Sequence, residues 1–312
     1  SGIVTATIAG IDEVADWAGC RATRLLDNLT ASRVRFAGVP MDCPAIMGVI
    51  NVTPDSFSDG GDNAEADTAI AHGRAMVEAG AAILDIGGES TRPGSDAVDG
   101  DAELARVLPV IQGLADVGVP LSIDSRRARV MAAALDAGAA MVNDVSALTY
   151  DDDSLATVAA SAAPVVLMHT QGDPRTMQQD PHYDCAPLDV YDFLEGRIEV
   201  CVAAGIERRR IAIDPGIGFG KSPLGHNIEI LQRLGLLHGL GCPLLLGVSR
   251  KRFIGRLAGV DAPKERFSGS LAAGLAILDQ GAQILRVHDV AETVQAVAVW
   301  HAMTAARANT GG

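Results

Sequence analysis

Acids, amides and cations recur at the ends of short apolar runs in this chain: Asn51, Glu89, Asp124, Asn143 with Asp144, His169, Asp214, Ser249 with Lys251, and Arg286 with His288. Asp124, Asn143 and Asp214 suit a flat heterocycle carrying several N–H groups. A carboxylate accepts two parallel hydrogen bonds from an amidine-like edge, and an amide both donates and accepts. Lys251 adds a donor for a ring carbonyl or nitrogen. The chain has three lysines, Lys221, Lys251 and Lys264, so one placed in a motif carries weight. Arg286 and His288 stand two residues apart and so face one side of a strand. With the amide of Asn51 nearby, that cationic pair forms a diphosphate clamp. No Ser/His/Asp or Cys/His set recommends itself for nucleophilic catalysis.

One repeated unit positions these residues: apolar strand, polar tip, loop, amphipathic helix. The predicted strands are 46–51, 82–87, 120–124, 140–143, 164–169, 210–214, 243–248 and 283–288. Helical spacing is clear between them, as in Leu104, Val107, Leu108, Ile111 and Leu114. The joints Ala79-Gly80-Ala81, Ala137-Gly138-Ala139 and Gln280-Gly281-Ala282 place a left-handed glycine between helix end and strand start. Eight such units predict an α/β fold of the (β/α)8 TIM barrel type, which brings all eight tips to one face. A doubly wound open sheet needs a Gly-rich phosphate turn after its first strand, where this chain has Asn51-Val52-Thr53-Pro54. Residues 41–312 form the barrel; residues 1–40 are an N-terminal extension of unassigned role, with a helix from Asp12 to Leu29 and a strand from Arg33 to Val39.

Composition narrows the function further. The net charge of −14 excludes a nucleic-acid partner at the level of the whole surface. Five cysteines without a CxxC pair argue for a reduced, cytoplasmic setting. No apolar run approaches the ~18 residues of a membrane span, and the apolar first ten residues lack a basic flank and run into Asp12, Glu13 and Asp16, unlike a secretory leader, so the sequons at Asn28 and Asn51 are read as chance matches. Gly216-Ile217-Gly218-Phe219-Gly220-Lys221-Ser222 is one residue short of a Walker A loop. His169 and His288 lack a third ligand at zinc spacing.

The tips coincide with a family pattern. From about Ile46 to Trp300 the chain resembles dihydropteroate synthases, through MGVINVTPDSFSDGG (47–61), DIGGESTRPG (85–94), SID (122–124), VNDVS (142–146), LMH (167–169), DPGIGFGK (214–221), SRK (249–251) and RVHDV (286–290). The resemblance implies a transferase that condenses 6-hydroxymethyl-7,8-dihydropterin diphosphate with p-aminobenzoate to give 7,8-dihydropteroate and diphosphate, in folate biosynthesis. It places the pterin on Asp124, Asn143, Asp214 and Lys251, in a slot shaped by Met168, Phe219 and Gly247. It assigns Mg²⁺ and the diphosphate to Asn51, with Arg286 and His288 as anion ligands and Asp59, Thr91 and Arg92 closing over it. Phe57 and Pro93 then flank the p-aminobenzoate ring, and Asp124, Lys251, Asn51, Arg286 and His288 are the catalytic set.

The implied chemistry needs no protein nucleophile: the dihydropterin stabilises the cation formed as diphosphate leaves, and the arylamine attacks the methylene carbon. Loops 51–63 and 88–98 are expected to order on diphosphate. Arg252 departs from the serine common in the family, at a position near the p-aminobenzoate carboxylate. The resemblance also implies a homodimer and inhibition by sulfonamides. The other readings are a pterin barrel that transfers a methyl group to a corrinoid protein, which needs no Arg/His clamp, and a non-catalytic pterin-binding paralogue.

Overall fold

Side-chain alternation along the strands builds the barrel and divides its interior into layers. A computed structural model describes residues 23–33, 35–53, 61–90, 95, 98–172 and 175–308. The barrel strands are β3 (Ala45–Asn51), β4 (Ile83–Gly87), β5 (Leu121–Asp124), β6 (Met141–Asp144), β7 (Val165–Met168), β8 (Ile211–Asp214), β9 (Leu245–Leu246) and β10 (Ile284–Val287). Every ladder is parallel, in the order β8-β7-β6-β5-β4-β3-β10-β9, and a parallel bridge from Ile213 to Leu244 closes the ring. Helices α2 (Gly61–Glu78), α3 (Gly100–Leu114), α4 (Ala128–Asp136), α5 (Ser154–Ala160), α6 (Ala186–Ala203), α7 (His226–Gln232), α8 (Arg252–Ala258), α9 (Phe267–Leu278) and α10 (Val290–Ala308) surround it. Among the described residues no helix is long and apolar enough to cross a membrane.

One parity of each strand faces the helices: Ile46, Ile50, Leu84, Ile86, Leu121, Ile123, Val142, Val165, Leu167, Ile211, Ile213, Leu246 and Leu285 belong to a single apolar cluster with the helix residues. The other parity faces the barrel axis. Its lower layer is apolar, with Met47, Ile83, Met141, Val166, Ala212, Leu245 and Ile284 packed together. The predicted joints are as read: Gly80, Gly138 and Gly281 have φ of 100°, 115° and 85°.

Two predicted strands change. The run 33–39 is a hairpin, β1 (Arg35–Phe36) and β2 (Val39–Pro40), because Ala37 and Gly38 both take positive φ and reverse the chain. Phe36, 1 % exposed, then plugs the lower barrel layer. The run 243–248 shrinks to Leu245–Leu246, since the chain leaves the sheet for a turn centred on Arg250 at φ 58°. Of the predicted helix Asp12–Leu29, the described part is helical over residues 23–30 (α1). Asn28 of α1 donates to the Gly239 carbonyl, and Arg33 to those of Asn28, His238 and Cys242, stitching this segment to the end of the barrel where the strands begin.

Candidate active site

Above the apolar layer the inward parity becomes largely polar: Asp85, Ser122, Asn143, Asp214 and Arg286 beside Val49, Met168 and Gly247, then Asn51, Gly87, Asp124 and His288 at the rim. Asp85 is the hub. Its Oδ2 accepts from Arg286 Nε at 2.5 Å and from Asn143 Nδ2 at 3.0 Å, while Arg286 Nη2 donates to Asp124 Oδ2 at 2.6 Å. One guanidinium thus serves two carboxylates across the barrel. Each acid keeps one oxygen, Asp85 Oδ1 and Asp124 Oδ1, buried without a hydrogen-bond partner. Burial, with the charges of Asp85, Glu103 and Asp144, pushes the Asp124 carboxyl up to about 7 against the opposing pull of Arg286. Asp214 is also raised by burial, countered by the Gly216 N–H at 2.7 Å and by the charges of Lys251 and Arg286. Burial works against the charge of Arg286, but Asp85 and Asp124 more than offset it and hold the cation firmly. These acceptors match the N–H-rich edge expected of the ligand.

The loop after β8 forms one wall of this mouth. It runs against the backbone leaving β7: a Cβ on Gly216 would lie 1.9 Å from the His169 carbonyl oxygen, and one on Gly220 2.2 Å from that of Gln171. Phe219 on this loop lies under Lys251, whose Nζ is 4.2 Å from the ring centre. Met168 is buried beside Asp214, its register partner, and Gly247 leaves the space above Arg286 open, with Arg286 Cβ 3.9 Å from where a Cβ would stand. Lys221 is fully buried, and its Nζ donates to His169 Nδ1 at 2.8 Å. It therefore points into the wall, not outward as a Walker A lysine does.

Across the mouth, Ser249 Oγ and His288 Nδ1 are hydrogen-bonded at 3.0 Å, which orients the imidazole. The left-handed Arg250 between Ser249 and Lys251 pairs with both oxygens of Asp289, locking the tips of β9 and β10 together. Arg252 opens α8 with an exposed side chain. Asn51 is half-buried at the tip of β3, beside Gly87, which in turn neighbours Asp124. Phe57, Asp59, Thr91, Arg92 and Pro93 lie outside the described residues.

Three polar tips point away from the mouth. Glu89 is held by Arg126 and Arg127, and Asp144 caps its own turn through Ser146 N, Ser146 Oγ and Leu148 N. His169 receives Lys221. Two residues, Asp85 in the mouth and Lys221 behind its wall, were missing from the expected set. Asp85 sits mid-strand, and its signal was a charged residue on the inward parity of the otherwise apolar run Ile83-Leu84-Asp85-Ile86. Lys221 stood out in the sequence as one of three lysines, at the end of the family segment 214–221, but without an assigned role.

The model for pterin binding enzymes matches residues 47–288, from the inward Met47 of β3 to His288. The chain is 45 % identical over 267 residues to the dihydropteroate synthase of Escherichia coli K12, covering 85 % of this chain and 94 % of that one. It belongs to the dihydropteroate synthase family. A dihydropteroate synthase of Xanthomonas albilineans with 4-aminobenzoic acid superposes with a TM-score of 0.81 at 50 % identity, over 86 % of this chain and 97 % of that one. A dihydropteroate synthase of Yersinia pestis in a sulfonamide drug complex gives 0.81 at 44 % identity, over 86 % and 96 %. The pterin binding enzyme model starts at residue 47, after the β1–β2 hairpin, so the plug and α1 stand outside the segment that it spans.

Proposed function

We infer that this chain condenses 6-hydroxymethyl-7,8-dihydropterin diphosphate with p-aminobenzoate to give 7,8-dihydropteroate and diphosphate, the step that makes it a transferase of folate biosynthesis. The observation that carries the reading is the inward ring of Asp85, Asp124, Asn143, Asp214, Lys251 and Arg286, within a chain 45 % identical to a dihydropteroate synthase. The pterin lies on Asp124, Asn143, Asp214 and Lys251. Because Asn143 Nδ2 is committed to Asp85, its Oδ1 accepts from a ring N–H. Phe219, Met168 and Gly247 leave a flat slot. Asp124 and Asp214 accept the ring's donors, and their charge favours the positive charge that grows on the pterin as its methylene–oxygen bond breaks.

Arg286 and His288 receive the leaving diphosphate. The Arg286 side chain is held by Asp85 and Asp124, so its position is set before the anion arrives. Among the described residues no three His, Cys, Asp or Glu side chains gather as a metal cage. Mg²⁺ is a hard cation that keeps waters and phosphate oxygens and takes few protein oxygens. Asn51 fits as the donor of one amide oxygen to Mg²⁺, which when bound neutralises charge on the diphosphate. Asp59, Thr91 and Arg92 are assigned to the same anion, and Phe57, Pro93 and Arg252 to p-aminobenzoate. Sulfonamides then compete with p-aminobenzoate.

The decisive assay is diphosphate release from the dihydropterin diphosphate, with Mg²⁺, with and without p-aminobenzoate. Release that needs p-aminobenzoate and collapses in Lys251→Ala supports the synthase; pterin binding without release points to a non-catalytic paralogue.

The same reading includes a homodimer. Phe267, Leu271 and Leu275 of α9 and Val299, Trp300 and Met303 of α10 line an apolar groove, with Val299 57 % and Met303 62 % exposed. Sedimentation should give twice the chain mass, and Val299→Asp with Met303→Asp should halve it. A cytosolic location goes with it, since Cys43, Cys185, Cys201 and Cys242 are free thiols.

A further inference from the structure

Lys221 is a lysine that the reaction above does not use, and it is buried to 0 % exposure on the back of the pterin wall. An ammonium has three donors and no acceptor. Three acceptors surround this one: His169 Nδ1 at 2.8 Å, the Phe219 carbonyl at 2.9 Å and the His169 carbonyl at 3.4 Å. Burial pushes this amine down to about 7; Asp214 of β8 favours the cation against that push, and Lys251 adds to it. Around the pair, the His169 ring packs on Phe193 of α6 at 4.8 Å and on Tyr183 at 5.9 Å, and Tyr183 packs on His226 of α7. His169 is pushed far down, to about 3, by burial and by Lys221, so it stays neutral and can accept.

We propose that Lys221 is a positioning residue for the pterin: its ammonium ties the exit of β7 to the loop after β8 and so fixes the shelf of Gly218 and Phe219 on which the ring lies. The proposal rests on the pterin assignment of this mouth. Two of the three acceptors belong to His169, which follows Met168, and the third is the carbonyl of Phe219 itself. One ammonium therefore sets the distance between the two surfaces that bracket the slot. The shelf is not held by Lys221 alone. Asp214 accepts from Gly216 N, Asn227 from Gly218 N, and the carbonyls of Gly218 and Gly220 accept from Gln178 and Tyr183. Loss of Lys221 should therefore loosen the shelf without unfolding the barrel.

The test is steady-state kinetics of the full chain with both substrates. Lys221→Met should raise KM for the dihydropterin diphosphate about tenfold or more, as one lost charge-assisted contact does. Its kcat and its KM for p-aminobenzoate should stay within about threefold. His169→Leu, which removes the Nδ1 acceptor, should show the same split. His169→Asn places an amide oxygen near the position of Nδ1 and should recover most of the pterin KM. An unchanged pterin KM in Lys221→Met overturns the proposal. So do equal losses for both substrates, or His169→Leu and His169→Asn that behave alike; should Lys221→Met fail to fold, the His169 pair decides. Absence of turnover in the wild type counts against the synthase reading instead.

Discussion

Two buried ion clusters lie on either side of the end of β4, only four residues apart in the chain. Beyond the strand, Glu89 takes bonds from both Arg126 and Arg127, and Arg127 also reaches Glu103. There two arginines answer two acids. Inside the barrel, Asp85 and Asp124 share the single guanidinium of Arg286. Glu103, although paired with Arg127, is raised by burial, but Glu89 and Asp124 respond in opposite directions. Burial alone would raise Glu89, but Arg127, Arg126 and the Val98 N–H bring it below its ordinary value, whereas Asp124 climbs to about 7. A matched cluster stabilises structure. An undersupplied one keeps acceptors and charge ready for a ligand, and that is the difference between the wall of this barrel and its mouth.

The comparison breaks most visibly at Arg286. Arg286→Met leaves Asp85 and Asp124 buried together without a cation and removes the diphosphate's ligand. Turnover should fall by about 10³-fold or more, and urea unfolding should show a loss of about 3 kcal/mol unless the two acids share a proton. If turnover survives, Arg286 serves only the two acids. Glu89→Gln tests the other cluster. It should cost up to about 3 kcal/mol in the same unfolding measurement, because the buried Arg126 loses its carboxylate and Arg127 is left with Glu103 alone, yet change kcat far less than Arg286→Met does.

The clusters should also separate on a pH axis. Asp124 binds its proton more tightly folded than unfolded. Its contribution is therefore complete below the ordinary value of 3.8 and is lost as pH rises towards about 7. Glu89 does the reverse: its contribution is present above 4.5 and is lost as pH falls through its lower folded value. Unfolding free energy against pH should lose its downward limb between 4 and 7 in Asp124→Asn, and its acid limb in Glu89→Gln. The ionised Asp124 is the form that accepts a ring N–H, so pterin affinity should rise with pH up to about 7 in the wild type and stay flat in Asp124→Asn.

The strands and the inward set Asp124, Asn143, Asp214 and Arg286 were legible because period-two alternation is a local signal. What the polar tips do once assembled was not local. Glu89 and His169 have the same chemistry and the same place at a strand end as the residues of the mouth, and only their partners distinguish them. Those partners lie 37 residues away for Glu89 and Arg126, and 52 for His169 and Lys221. Asp85 escaped notice for a related reason: it lies inside its strand, and its role exists only because Arg286, 201 residues later, folds back over it. The Arg33–Val39 run hid its reversal because Ala37, a residue with no turn signature of its own, takes a left-handed conformation.

The smallest effect is expected where charge meets water. Arg252 begins α8 with an exposed side chain, one residue after Lys251, and is assigned to the p-aminobenzoate carboxylate. An exposed ion pair is worth at most about 1 kcal/mol and is screened by salt. Arg252→Ala should therefore raise KM for p-aminobenzoate by no more than about fivefold, leave kcat and the pterin KM in place, and lose even that difference at high ionic strength. The mouth's buried charges should keep their effects in the same salt series, because solvent ions reach them poorly. A p-aminobenzoate KM that rises much further in Arg252→Ala, or a difference that persists in salt, would mean that bound substrate buries Arg252 and that the undersupplied cluster extends out to the rim.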